Sequence, residues 1–142
     1  ARSDRRVLEE MILVPGTIVE RVANRPRPRV VVLLSADPLI AAGANTFIDE
    51  LVALAGGHNI FGDSVASWPH VSKEALIRSD PEFIFTTFSG GAARIREILP
   101  TVSAAKNDRV FELDPNWVER PGPRLLLGLK AIADIVHPEV AR

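Results

Sequence analysis

The sequence predicts an α/β fold, a single Rossmann-like lobe with a four-stranded parallel sheet and helices on both faces. Three observations carry this prediction. Strand-like and helix-like segments alternate four times, the pattern of parallel strands joined by crossover helices. Val30 to Leu34 is an unbroken β-branched and aliphatic run, as suits a strand buried on both faces. The 142 residues, 46% of them hydrophobic, suffice for one domain with a real core.

Taken in order, residues 7 to 23 place Val7, Met11, Val14, Ile18 and Val22 at helical spacing, with Leu8 and Ile12 widening the apolar face. Pro15-Gly16 breaks that pattern into two short helices or one kinked helix. Arg25-Pro26-Arg27-Pro28 is a stiff linker into the first strand, 30–34. A helix follows from Ala44 to Ala55, with Phe47, Ile48, Leu51, Val52 and Leu54 on one side and Gly56-Gly57 closing it. Asn59-Ile60-Phe61 forms the second strand. The loop 62–71 leads to a helix capped by Ser72, with Glu74 in its first turn and Asp80-Pro81 at its end.

Phe83 to Thr87 is the third strand, and Ser89-Gly90-Gly91 opens a helix over 92–99. A short helix at 101–106 precedes the fourth strand, Val110 to Leu113. The loop 114–121 feeds the last helix, Pro123 to Val136, whose apolar stripe is Leu125, Leu126, Leu129, Ile132, Ala133 and Val136.

Composition removes several function classes. A net charge of −1, with 25% charged residues of both signs, argues against a nucleic-acid partner, which calls for a basic face. Without Cys there are no disulfides and no thiolate metal sites. No apolar run approaches the roughly 20 residues that span a bilayer. Residues from Ala1 carry no signal-peptide pattern, so an exported protein would have lost its signal or carry it on a longer precursor.

Ligands of open α/β sheets bind outside the carboxyl ends of the strands. The loops 35–43, 62–71, 88–91 and 114–121 all belong to that edge, which gathers Trp68, Trp117 and Arg120 on one rim. Both Trp residues stand in polar, proline-stiffened loops, Ser67 to Glu74 and Asn116 to Arg124. Such indoles either offer a flat apolar ligand surface or cap a loop over the core. Glu74 either serves the macrodipole of its helix, worth about 0.3–1 kcal/mol, or is an exposed acid that docks an Arg pocket on a partner. Arg120 is placed to donate hydrogen bonds to ligand carbonyls, whereas Arg124 begins a helix.

Other motifs point less far. Of the three His residues only His70 lies in a rim loop, His137 sits at a helix end where a cation suits the dipole, and no pair has ligand spacing, so no metal site is expected. Ser89-Gly90-Gly91 could cradle an anion but lacks the lysine of a phosphate loop and reads as a flexible turn. Ser35, followed by Ala36-Asp37-Pro38, is no nucleophile elbow, so an enzyme has little support.

At these residues the chain resembles the C-terminal lobe of the periplasmic cobalamin- and iron-siderophore-binding proteins, the receptors of ATP-driven importers. The matching segments are Gly43 to Ile48, Ala55 to Phe61, Trp68 to Glu74, Ser79 to Ile84, Arg109 to Phe111, Trp117 to Arg124 and His137 to Glu139, spanning about residues 28 to 139. The Trp-Pro-x-Val-Ser-x-Glu and Trp-x-Glu-Arg segments are most similar to the cobalamin-binding branch. The resemblance implies that Trp68 stacks on a corrinoid, that Arg120 bonds its peripheral amides, and that Ile40 packs where that branch has an aromatic. Trp117, Asn116 and His70 complete the ligand-binding set, with Asn116 where the branch tends to show an acid. Glu74 would dock to the membrane permease.

The same resemblance implies two lobes, residues 1–28 being a connecting helical segment and linker and 29–142 the C-terminal lobe, with an N-terminal lobe outside this chain. It further implies no intrinsic cofactor and an extracytoplasmic place, periplasmic or lipid-anchored at the cell surface in a full-length precursor. The competing readings are a receptor lobe for an iron-siderophore or haem and, from another class, a small α/β enzyme domain on the same rim loops.

Overall fold

The computed structural model describes residues 18–118 and 125–140. Its centre is a five-stranded sheet: β1 (Arg29–Ala36), β2 (Leu39–Ala41), β3 (His58–Asn59), β4 (Phe83–Thr86) and β5 (Val110–Glu112). Around it lie α1 (Ile18–Val22), α2 (Phe47–Leu54), α3 (Lys73–Ser79), α4 (Gly91–Ile98), α5 (Ser103–Lys106), α6 (Pro115–Val118), α7 (Leu125–Val136) and a 3-10 turn, Pro138–Val140.

The four expected strands pair in parallel. β1 runs beside β4 with Val30 opposite Phe83 and Leu33 opposite Thr86, β4 beside β5, and β3 beside the start of β1. A fifth strand corrects the four-stranded expectation and the reading of 35–43 as loop. β2 folds back antiparallel on β1, with Ala36 opposite Leu39 and Leu33 opposite Ala41. The reversal needs only the turn at Asp37-Pro38, and three residues are too few for a period to show in sequence. Because β4 occupies one edge of β1, β3 and β2 share the other, β3 opposite Arg29–Val30 and β2 opposite Leu33–Ala36.

Burial of β1 on both faces divides the core in two, since alternate residues of a strand point to opposite sides. Val30 and Val32 pack with Ile48, Leu51 and Val52 of α2 and with Leu129, Ile132, Ala133 and Val136 of α7. Val31 and Leu33 pack with Leu76 of α3, Ile95 and Leu99 near α4, and Ala104 of α5. The chain winds one way from β1 to β3 and then crosses β1 to reach β4. Winding therefore reverses between β1 and β4, the crevice where such sheets take ligands.

Local chemistry sets the helix boundaries. α2 starts at Phe47 rather than Ala44, because Asn45 takes φ 62° and the Thr46 hydroxyl caps the helix by accepting the Asp49 N–H at 3.0 Å. Gly56, at φ 90°, follows its end as expected. Ser72 caps α3 by accepting the Ala75 N–H at 3.0 Å, and α3 ends at Asp80 in the left-handed region. The expected helical segment over 7–17 and the start of the last helix at 123–124 lie outside the described residues.

Candidate functional site

The rim is built on a ribbon of two antiparallel segments. Beyond β2, the 67–71 stretch is stitched to 39–43: Val71 N–H donates to Leu39 O at 2.9 Å, Ala41 N–H to Pro69 O at 3.0 Å and Gly43 N–H to Ser67 O at 2.7 Å. Ile40 bridges His70, and the same register sets Trp68 opposite Ala42. Residues opposite one another, and those two apart, share a face of such a ribbon. Ile40, Trp68 and His70 therefore stand together, Trp68 with 47% of its surface exposed, His70 exposed and Ile40 half-buried.

Buried Asn59 anchors the ribbon from below. Its Nδ2 donates to Ala42 O and to Asp49 Oδ1, both at 3.0 Å, while its Oδ1 accepts the Phe61 N–H at 3.1 Å. One amide thereby ties β3, the end of β2 and α2 to the start of the Trp68 loop.

The second indole is used differently. Trp117 lies in α6, a short helix inside what reads as loop, and packs against the core cluster of α2 and α7. Asp114 organises that helix, its carboxylate accepting the Asn116 N–H at 2.9 Å and its carbonyl the Trp117 N–H at 2.9 Å. Asn116 itself is exposed. Arg120 lies outside the described residues, so the structure gathers Ile40, Trp68 and His70 on one ribbon and sets Asn116 and Trp117 beyond the end of β5, two strands from β1. Glu74 is exposed in the first turn of α3, immediately beyond the ribbon.

Between them, the turn after β4 enters α4 at Gly90, φ 72°, with no side-chain cap. Gly91 must lack a side chain because a Cβ there would collide with the Thr86 hydroxyl, a buried oxygen without a hydrogen-bond partner.

Among the described residues no cluster of His, Asp and Glu could hold a metal ion. His137 directly follows α7, at the helix end where the sequence puts it. It is buried, donates from Nε2 to Gly56 O at 3.0 Å and pairs through Nδ1 with Glu139 Oε2 at 3.0 Å. A bond to its own backbone N–H and, after it, the His137 contact hold the Glu139 carboxyl below its ordinary value.

Residues that sequence reasoning missed are Gly43, Ser64 and Asn59, which bear no ligand chemistry but build the ribbon. The small-residue run Ala41-Ala42-Gly43 before a helix was the available signal, because close backbone approach needs small side chains.

Comparison with known proteins places this geometry. The family described as periplasmic binding protein matches residues 17–117. The vitamin B12-binding protein of Pectobacterium atrosepticum is 32% identical over 112 residues, which cover 79% of this chain and 39% of that protein. An uncharacterized ABC transporter substrate-binding lipoprotein of Bacillus subtilis is 30% identical over 109 residues, 75% of this chain and 34% of its own length. The crystal structure of the periplasmic vitamin B12-binding protein of Vibrio cholerae superposes with a TM-score of 0.77 at 29% identity, covering 96% of this chain and 51% of that one. The chain thus spans between a third and about half of the length of these relatives, which are named for binding and not for catalysis.

Proposed function

Because the chain belongs to the periplasmic binding protein family, we propose that it forms the C-terminal lobe of an importer's receptor, capturing a corrinoid outside the cytoplasm and delivering it to the membrane permease. The carrying observation is the Trp68 indole, 47% exposed on a hydrogen-bonded ribbon beside Ile40 and His70. An exposed indole on a rigid support offers a flat apolar surface to a macrocycle at little entropic cost.

Arg120 would bond the ligand's peripheral amides, and Asn116, exposed in α6, would join the ligand contacts, with Trp117 bracing that helix. The opposite wall of the cleft would come from an N-terminal lobe, which fits relatives about twice as long as this chain. Glu74, exposed just past the ribbon, would dock an arginine pocket on the permease. Relatives named for vitamin B12 favour a corrinoid over an iron-siderophore or haem.

Equilibrium dialysis against cyanocobalamin, ferrichrome and haemin, each read by its visible absorption, tests this. One wall of a cleft buries only part of a ligand, so the chain by itself is expected to bind cyanocobalamin with Kd weaker than about 1 μM. Trp68→Ala should weaken that binding further. Preference for ferrichrome or haemin, or indifference to Trp68→Ala, would reject the corrinoid reading.

A further inference from the structure

The Trp68 ribbon closes on the sheet at one glycine. We propose that Gly43 is a positioning residue for the ligand-facing indole: its missing side chain is the slot in which the 64–69 loop seats, and that seat sets where Trp68 stands. The ligand half of this proposal rests on the function proposed above; the loop half does not.

Gly43 is buried, donates its N–H to Ser67 O at 2.7 Å and accepts the Thr46 hydroxyl at 2.9 Å. A Cβ built on it would overlap Ser64 Oγ and come within 2.7 Å of Ala66 O and 2.9 Å of Pro69 Cδ. Two of these contacts are backbone or proline ring and cannot swing aside. The third, Ser64 Oγ, is held where it is, donating to Ala66 O at 2.6 Å and accepting the Ala44 N–H at 3.3 Å. Positive φ occurs among the described glycines at Gly56 and Gly90, so the demand at Gly43 is for space and not for a left-handed backbone.

The crowded neighbours, Ala66, Ser67 and Pro69, bracket Trp68 in the chain. With alanine at 43, the Ala66 carbonyl must retreat from 2.7 Å to the 3.4 Å where ordinary contact begins. Movement on that scale forfeits about a quarter to a half of the dispersion energy of an atom pair in contact, so a stacked indole displaced with the loop loses much of its hold. The three atoms nearest that Cβ all belong to the 64–69 loop and none to β1 or β4, so the fold should survive.

Gly43→Ala is tested first by amide hydrogen exchange on the unliganded chain. The Ala41 and Val71 amides, which bridge β2 and the loop, are expected to exchange about tenfold faster, with the β1 and β4 amides unchanged. Unchanged exchange at Ala41 and Val71 overturns the proposal. The second arm is dialysis against cyanocobalamin. Gly43→Ala should weaken binding about tenfold in the wild type and hardly at all in a Trp68→Ala background, because the glycine acts through the indole. An equal loss in both backgrounds overturns the positioning role.

If the wild type takes up no cyanocobalamin, the corrinoid function fails, and iodide quenching of Trp68 in Trp117→Phe protein decides the slot. An altered quenching constant in Gly43→Ala supports it, and an unaltered one overturns it. Should Gly43→Ala not fold, Ser64→Ala removes the hydroxyl that braces the loop without adding an atom. It should still speed exchange at Ala41 and Val71, and no change there again overturns the proposal.

Discussion

The two tryptophans show how residue type and residue role separate. Trp68 projects from a ribbon with half its surface in solvent, so truncating it removes little that the fold depends on. Trp117 packs between α2 and α7 and closes one core cluster. Trp68→Ala should therefore change the unfolding free energy by less than about 0.5 kcal/mol while reducing cyanocobalamin affinity at least about tenfold. Trp117→Ala should destabilise by about 2–3 kcal/mol. Urea titrations of both variants, with dialysis of the first, check the pair.

Asp80 carries a second residue-scale prediction. Its carboxylate accepts the Ser103 hydroxyl and the Ser103 N–H, each at 2.7 Å, and these bonds hold its carboxyl below the ordinary 3.8. A carboxyl depressed on folding contributes stability above its unfolded value and loses it as pH falls through the folded one. The wild type should weaken as pH drops below about 4, and Asp80→Asn should lack that part of the slope. Urea midpoints for both proteins at about pH 3 and about pH 6 measure the difference.

At the scale of elements, α3 joins the candidate site to the candidate docking point. Its N-cap, Ser72, follows directly on the ribbon strand that holds His70, so ribbon and helix share one rigid junction. Glu74, in its first turn, is exposed, and its charge both suits the helix N-terminus and faces outward. Glu74→Gln in a two-lobed protein should lower stability by a few tenths of a kcal/mol, leave ligand affinity unchanged and weaken association with the permease. The weakening should shrink as salt rises, since exposed charges are screened over about 8–10 Å at physiological ionic strength. Permease affinity of wild type and Glu74→Gln at low and high salt decides it, and equal affinities at low salt would leave Glu74 as a helix-start acid.

The whole molecule is clamped behind the sheet, where α2 ends, α1 passes and the chain runs out beyond α7. Gly56, at φ 90°, turns the chain out of α2, and its carbonyl accepts the His137 Nε2–H across 81 positions of sequence. A Cβ there would lie 2.7 Å from the His137 ring and 2.8 Å from Val22 Cβ. Gly56→Ala adds both backbone strain and that collision, so it should destabilise by about 2–4 kcal/mol and unfold the chain as one unit. Chemical denaturation followed by Trp fluorescence and far-UV circular dichroism should show one coincident, lowered transition.

Much of this organisation was legible in the residues themselves. The Val30 to Leu34 run announced a strand buried on both faces, Ser72 announced a helix start and Gly56-Gly57 a helix end, because each follows from local sterics and hydrogen bonding. The place of the 62–71 loop was legible too, since strand–helix alternation puts the loop after a parallel strand at the carboxyl edge of the sheet. Tertiary structure alone decided how the two tryptophans divide their labour, because exposure depends on what packs above a loop and not on the loop's composition. It also decided that Leu39–Ala41 turns back as a strand, that 67–71 pairs with it, and that His137 closes onto Gly56. Those contacts join residues far apart in sequence or too few to show a period, and their energy appears only when the chain has folded.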